Sequence, residues 1–158
     1  MAATEQDPVD VLALDRQVCF ALAVAARRVI ATYRPFLEPL DLTHPQYLVM
    51  LALWQHQQLS VRGLSEHVSL EPATLSPLLK RLEANGYITR RRDPDDERTL
   101  QVSLTQQGQE LREQALDIPT AVMQRLDMDV AELHHLHGIL TDIITRTANV
   151  DQSADWTR

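Results

Sequence analysis

Between positions 9 and 36 the chain has no glycine and, before Pro35, no proline, while Val11, Leu14, Val18, Leu22, Ala25 and Val29 recur at steps of three and four. This spacing gathers them on one side of a helix and predicts a long first helix that ends near Pro35. A second helix is expected to start after Thr43, a capping residue, with Pro45 in its first turn. It would pass through Tyr47, Leu48, Leu51 and Trp54 and stop near His56. Val61 to Val68 reads as a short helix with Leu64 and Val68 turned inward. Ser69-Leu70-Glu71 then supplies a turn, and Pro72 suits the first position of another helix. On a wheel of Ala73 to Ala84, Leu75, Leu78, Leu79 and Leu82 share one face, and Ala73, Ser76, Pro77, Lys80 and Arg81 share the other. Two helices joined by so short a turn predict a helix-turn-helix.

Gly86 sits where a helix C-terminus needs a left-handed residue, and the pattern then changes from period 3.6 to period 2. Tyr87 to Arg92 and Thr99 to Leu104 read as two strands around the turn Asp93-Pro94-Asp95-Asp96-Glu97-Arg98, which together form a wing. Leu104, Leu111, Ala115, Ile118 and Val122 resume a helical stripe that Pro119 must kink or restart. Leu133, Leu136, Leu140, Ile143 and Thr147 then form a pairing seam. The predicted fold is mainly α with a small β-hairpin. A winged helix-turn-helix over residues 43–104 is flanked by dimerisation helices over 9–37 and 105–149.

Composition narrows the function. A chain of 158 residues that is 44% hydrophobic fits a single domain over 1–158, and only four glycines favour helices over a large sheet. No apolar run approaches the roughly 20 residues of a bilayer span, and the N-terminus lacks the regions of a signal peptide, so a cytoplasmic protein without a membrane partner is expected. With 15 Lys and Arg against 22 Asp and Glu, the net charge of −7 argues against a general polyanion binder. The densest positive patch is Arg90-Arg91-Arg92. The lone cysteine, Cys19, cannot form an internal disulfide, which leaves a buried structural thiol or a free reactive one.

The run Asp96-Glu97-Arg98 followed by Leu104-Thr105-Gln106-Gln107-Gly108 resembles the wing signature of the MarR family, in the expected order after a helix-turn-helix. Gln17 to Leu22, Tyr33-Arg34-Pro35, Leu42 to Leu48 and Thr74 to Glu83 resemble the organic hydroperoxide regulators of the OhrR group. The resemblance implies a homodimer that binds double-stranded operator DNA when reduced, represses a peroxidase gene, and releases the DNA when Cys19 is oxidised.

Thr74 and Ser76, near the start of the second helix of the pair, are placed to reach base edges in the major groove, and Lys80 and Arg81 to meet phosphates. Arg98 is the candidate for the minor groove, with Asp96 steadying its guanidinium by a bidentate contact as the resemblance implies. Arg90 and Arg92 are expected to neutralise backbone charge. A peroxide-reactive thiol needs hydrogen-bond donors or positive charge nearby. The family points to Tyr33 as that donor. On one straight helix Tyr33 would lie roughly 21 Å from Cys19, so the two can meet only across a dimer of antiparallel first helices.

Two positions depart from the family pattern. Ala23 stands where many relatives carry a tyrosine, and His44 takes the place of another, so His44 is a further candidate donor beside the thiol. With no second cysteine, a lasting oxidised state calls for a low-molecular-weight thiol, a sulfenamide or over-oxidation, and a mixed disulfide is the favoured product. Phe20, Leu22, Phe36 and Leu40 are candidates to line an apolar approach for the oxidant, though core packing competes for each. His134, His135 and His137 beside Glu132 read as a solvated face, and neither a metal nor a cofactor is expected. The rival reading is a MarR-type repressor that answers a small phenolic or acidic ligand, with Cys19 inert. A thiol peroxidase lacks a resolving cysteine and an enzyme scaffold, so an enzyme is not expected.

Overall fold

The computed structural model describes residues 10–148; Val9 and Asn149, with which the expected terminal helices begin and end, lie outside the described residues, as does the N-terminus read for a signal peptide. The chain divides into two compact units, with the boundary between Leu116 and Asp117. No described helix is long and apolar enough to cross a membrane.

In the first unit, helix α1 spans Val18–Leu37 and so starts well after position 9. Local polar contacts explain the late start. The carboxylate of Asp10 accepts from the backbone N–H of Leu12 at 3.0 Å, and Leu14–Arg16 forms a single 3-10 turn. Gln17 is extended, and its side-chain amide donates to the carbonyls of Val11 at 2.9 Å and Ala13 at 3.2 Å. These bonds offer the backbone an alternative to the helix. At the other end Pro35 lies inside α1, because a proline in the last turn removes one bond without dislodging the residues after it.

Helix α2 spans His44–His56, and its start is closed by Gln46, whose Oε1 accepts from the backbone N–H of Thr43 at 2.8 Å. Ser60 caps helix α3, Val61–Val68, by accepting from the N–H of Gly63 at 3.0 Å. Ser69 turns the chain in the left-handed region at φ 51°, and helix α4 runs over Pro72–Ala84. Leu75, Leu79 and Leu82 are buried, while Leu78 is only half-buried. Helix α4 ends in the expected left-handed cap: Gly86 has φ 80°, its N–H donates to Glu83 and that of Tyr87 donates to Leu82, both at 3.0 Å.

Strand β1 is Gln58–Ser60, β2 is Ile88–Arg92 and β3 is Leu100–Leu104. They form one antiparallel sheet in the order β1-β3-β2, with Leu59 opposite Val102 and Arg90 opposite Val102 on the other side. The hairpin was legible in the sequence, whereas β1 was not: three residues are too few to display an alternation.

Helix α5, Gln106–Ala115, locks the wing to the body. Thr105 caps it by accepting from the N–H of Gly108 at 3.0 Å and itself donates its hydroxyl to the carbonyl of Gly86 at 2.6 Å. The indole N–H of Trp54 donates to the carbonyl of Gly108 at 2.8 Å, and the phenol of Tyr87 donates to the carbonyl of Leu40 at 2.8 Å. A Cβ on Gly108 would sit 2.0 Å from the carbonyl oxygen of Tyr87. The Leu-Thr-x-x-Gly run therefore has a local cause: a cap and a close backbone approach three residues apart.

In the second unit, helix α6 covers Ile118–Arg125 with Pro119 in its first turn, so the stripe restarts at the proline. Helix α7 covers Val130–Ala148 and contains no buried residue. Its start is closed reciprocally: Glu132 accepts from the N–H of Asp129 at 2.9 Å, and Asp129 accepts from that of Glu132 at 2.8 Å.

The Gly108 contact yields a stability test. Gly108→Ala should lower unfolding free energy by about 3 kcal/mol or more, because backbone blocks the new methyl. Urea denaturation measures it, and an unchanged midpoint would show that the two backbones can separate without loss.

Candidate nucleic-acid interface and thiol site

The exposed face of α4 carries Ala73, Thr74, Ser76, Pro77, Lys80 and Arg81, with the leucines on the opposite side. Thr74 and Ser76 are in the first half of the helix, and the two cations lie one turn further on. The arrangement is that of a helix whose buried face is apolar and whose free face is polar and basic. It suits insertion into a groove lined by phosphates.

The wing departs from expectation at two arginines. Arg90 is not a free cation: its Nε and Nη2 donate to Oε2 of Glu83 at 3.0 and 2.7 Å, and its backbone N–H donates to Oε1 at 3.1 Å. Its side chain is 23% exposed, so the pair clips β2 to the end of α4. The bond from Arg90 also holds the Glu83 carboxyl below its ordinary range. The period of a strand explains the error, because it places Arg90 beside the helix that precedes it. Arg92 is exposed and donates to the carbonyl of Glu97 at 2.6 Å, while Arg91 is exposed on the other face of the strand.

Asp96 does not grip the guanidinium of Arg98. Its Oδ1 accepts from the backbone N–H of Arg98 at 3.1 Å and its Oδ2 from the hydroxyl of Thr99 at 2.9 Å. The carboxylate thus shapes the hairpin tip and fixes where the Arg98 side chain leaves it. Asp93 supports the same turn, accepting from the N–H of Asp95 and the amide of Gln101, both at 2.8 Å, and these bonds hold its carboxyl below the usual range. Arg98 itself is exposed at the tip.

The three residues assigned to the thiol site separate into two places. Cys19 is exposed in the first turn of α1. Tyr33 and His44 meet near the other end of that helix, edge to face, with ring centroids 5.0 Å apart. Since α1 is continuous between them, the 14 steps from Cys19 to Tyr33 span roughly 21 Å, which excludes contact within one chain. Tyr47 of α2 extends the cluster: it lies 5.9 Å from Tyr33 and 6.3 Å from Trp54, centroid to centroid.

Burial raises the phenol of Tyr33 above its ordinary value, and burial with the nearby Tyr33 raises that of Tyr47. Both are proton donors at neutral pH. Burial lowers the imidazole of His44, so at neutral pH it is uncharged and can donate from only one ring nitrogen. Beside His44, a cleft of about 340 Å³ is lined by Arg27, Arg34, Glu38 and Thr43 and by the apolar Ile30, Leu37 and Leu42. Arg27 went unnoticed in the sequence and Arg34 entered only within the Tyr33-Arg34-Pro35 run, although their spacing of seven puts them on one helix face. Phe20 and Leu22 are exposed on α1 and Phe36 is half-buried. Leu40 belongs to the core.

The model of the MarR family matches residues 42–100, a span from two residues before α2 to the first residue of β3. The chain is 37% identical to the organic hydroperoxide resistance transcriptional regulator of Bacillus subtilis (strain 168), over 88% of this chain and 95% of that one. It is 38% identical to the HTH-type transcriptional regulator SarZ of Staphylococcus saprophyticus, over 84% and 91% of the two chains. Among solved structures, reduced AbfR bound to DNA superposes with a TM-score of 0.74 at 29% identity, covering 85% of this chain and 92% of that one. Overoxidised AbfR bound to DNA does so with a TM-score of 0.69 at 29% identity, covering 85% and 94%.

The buried imidazole carries a pH dependence. The unfolded chain protonates His44 near pH 6.5, while the folded chain resists until a lower pH, so this residue costs stability as the pH falls through that window. Thermal unfolding of the wild type should therefore weaken more steeply between pH 7 and pH 5 than that of His44→Gln. Parallel slopes would mean that the ring is as well solvated in the fold as outside it.

Proposed function

The chain belongs to the MarR family, and on that premise we propose that it is a dimeric, cytoplasmic DNA-binding repressor that leaves its operator when Cys19 is oxidised by an organic hydroperoxide. The observation that carries this reading is the division of the thiol site. One rigid helix holds Cys19 far from the Tyr33 and His44 cluster, so an antiparallel pairing of two α1 helices would seat each sulfur against the partner subunit's Tyr33. Unpartnered apolar side chains support pairing: Val18 is 70% exposed, and Phe20, Leu22 and Ile30 also reach solvent along α1. In the second unit Leu136, Ile139, Ile143 and Ile144 do the same along α7.

In the reduced dimer each α4 enters the major groove of one half-site, the two about 34 Å apart along the duplex. Thr74 and Ser76 read base edges, Lys80 and Arg81 bind phosphates, Arg98 enters the minor groove, and Arg92 adds backbone contact. Arg90 holds the wing against α4 and leaves the DNA to its neighbours. Asp96 sets the tip from which Arg98 projects.

For the signal, the Cys19 thiolate attacks the terminal oxygen of the hydroperoxide. The O–O bond breaks, the sulfur is oxidised to the sulfenic acid, and the organic fragment takes a proton and departs as the alcohol. A low-molecular-weight thiol then displaces hydroxide, which leaves as water after protonation, to give a mixed disulfide on Cys19. Either product is larger and more polar than the thiol. At a subunit interface it shifts one α1 against the other and changes the separation of the two α4 helices. The chemistry is stoichiometric, with no resolving cysteine to recycle the sulfur, so the protein is a sensor and not an enzyme.

A second reading rests on the cleft beside His44. Arg27 and Arg34 over an apolar wall suit a small phenolic or acidic ligand, with Cys19 a bystander.

A gel-shift titration with cumene hydroperoxide separates the two. Wild type should release a palindromic operator and Cys19→Ser should stay bound; equal release by both would remove the redox reading and favour the ligand. The arginines are separable too. Arg98→Ala, which removes one arginine from each subunit, should lessen the slope of log Kobs against log salt by about two, while Arg90→Ala leaves that slope unchanged and lowers the unfolding midpoint instead. Equal slopes for Arg98→Ala and wild type would place Arg98 off the DNA.

A further inference from the structure

The last residue of α2 and the last turn of α3 bring together two side chains for which the repressor reading has no use. His56 and His67 lie with ring centroids 4.4 Å apart and their planes inclined by 35°. Both residues are exposed. Among the described residues neither ring makes a hydrogen bond or an ion pair, so their nitrogens remain available to a ligand.

Two imidazoles from different helices with free nitrogens are the donor set of a borderline divalent metal ion. With one nitrogen of each ring turned to a shared ion, ring separation depends on the coordination angle. A metal–nitrogen bond of about 2.1 Å and a ring centre about 1.2 Å further out put the centres of two imidazoles about 4.6 Å apart when bound at right angles. At a tetrahedral angle the separation grows to about 5.4 Å. The observed separation is close to the first value. We infer that His56 and His67 form a two-imidazole site for Ni²⁺ or Cu²⁺, ions that accept right-angled ligands, with water in the remaining positions. Zn²⁺ would have to spread the rings by about 1 Å to reach its preferred angle.

The site spans the connection from α2 to α3. That stretch contains Gln57, a non-glycine residue at φ 66°, and the short β1. A metal across it closes the loop between His56 and His67 and holds α3, the first helix of the helix-turn-helix, against α2. This inference is independent of the peroxide reading, because no residue of the thiol site takes part.

The test uses Ni²⁺, which does not oxidise Cys19 as Cu²⁺ would, on the full chain carrying His134→Gln, His135→Gln and His137→Gln. Those replacements remove the exposed imidazoles of α7 from competition. In this background Ni²⁺ should broaden the ring-proton resonances of His56 and His67 together, in one saturable step. Adding either His56→Gln or His67→Gln should weaken binding by tenfold or more by isothermal titration. Circular dichroism confirms that each variant is folded; should one not be, the joint broadening decides alone. Separate broadening of the two rings, or undiminished affinity after loss of either, would overturn the site.

Discussion

The first compact unit is keyed to a line of buried polar contacts that runs from Trp54 through Gly108 and Tyr87 to Leu40. Trp54 belongs to α2, Gly108 to α5, Tyr87 leads into β2 and Leu40 closes the turn after α1, so four elements are joined by two hydrogen bonds and one close approach. Each bond satisfies a polar atom of a large aromatic residue that burial would otherwise penalise. The close approach admits no side chain. The wing is thereby held to the same frame that carries the second helix, and its position is not left to the exposed hairpin.

That frame also gives the candidate sensor a rigid neighbour. Tyr33 packs on Tyr47, Tyr47 on Trp54, and Trp54 is bonded to Gly108, so the aromatic cluster at one end of α1 is continuous with the base of the wing. A displacement at Tyr33 meets close-packed rings, which transmit strain with little give. On the proposed reading, this continuity is the path by which oxidation of the partner's sulfur would bias the DNA-binding face.

Much of the fold was legible in the sequence because its signals are local. Thr43 with Pro45, Ser60, Gly86 and Pro119 mark element ends by chemistry that acts within a few residues, and the leucines of α4 mark its buried side. What escaped was set by side-chain competition or by tertiary placement. Asp10 and Gln17 divert the backbone before α1, although the apolar spacing there continues through it. Strand β1 is defined by its partner β3 and not by its own three residues. At the candidate site, exposure was legible: Thr74, Ser76, Lys80, Arg81 and Arg98 all face solvent. Partners were not legible: Arg90 is taken by Glu83, and Asp96 bonds backbone and a hydroxyl in place of a guanidinium. The family pattern offered Tyr33 and His44 each as a donor to the thiol, whereas their contact with one another, the addition of Tyr47 and the paired Arg27 and Arg34 appear only once the helices are packed.

The account stands on a thiol site built from two subunits, and mixed dimers interrogate that directly. One carries Cys19→Ser and Tyr33→Phe together on a single subunit opposite a wild-type partner; the other carries the two changes on opposite subunits. Both retain one cysteine, and the rate at which cumene hydroperoxide converts it to the sulfenic acid, trapped with dimedone and followed by mass spectrometry, is compared. A site shared across the interface predicts the wild-type rate when the changes are on opposite subunits and a slowed rate when they are together. The reverse order would mean that Cys19 depends on the tyrosine of its own chain, and equal rates would deny Tyr33 any part; either result contradicts the shared site.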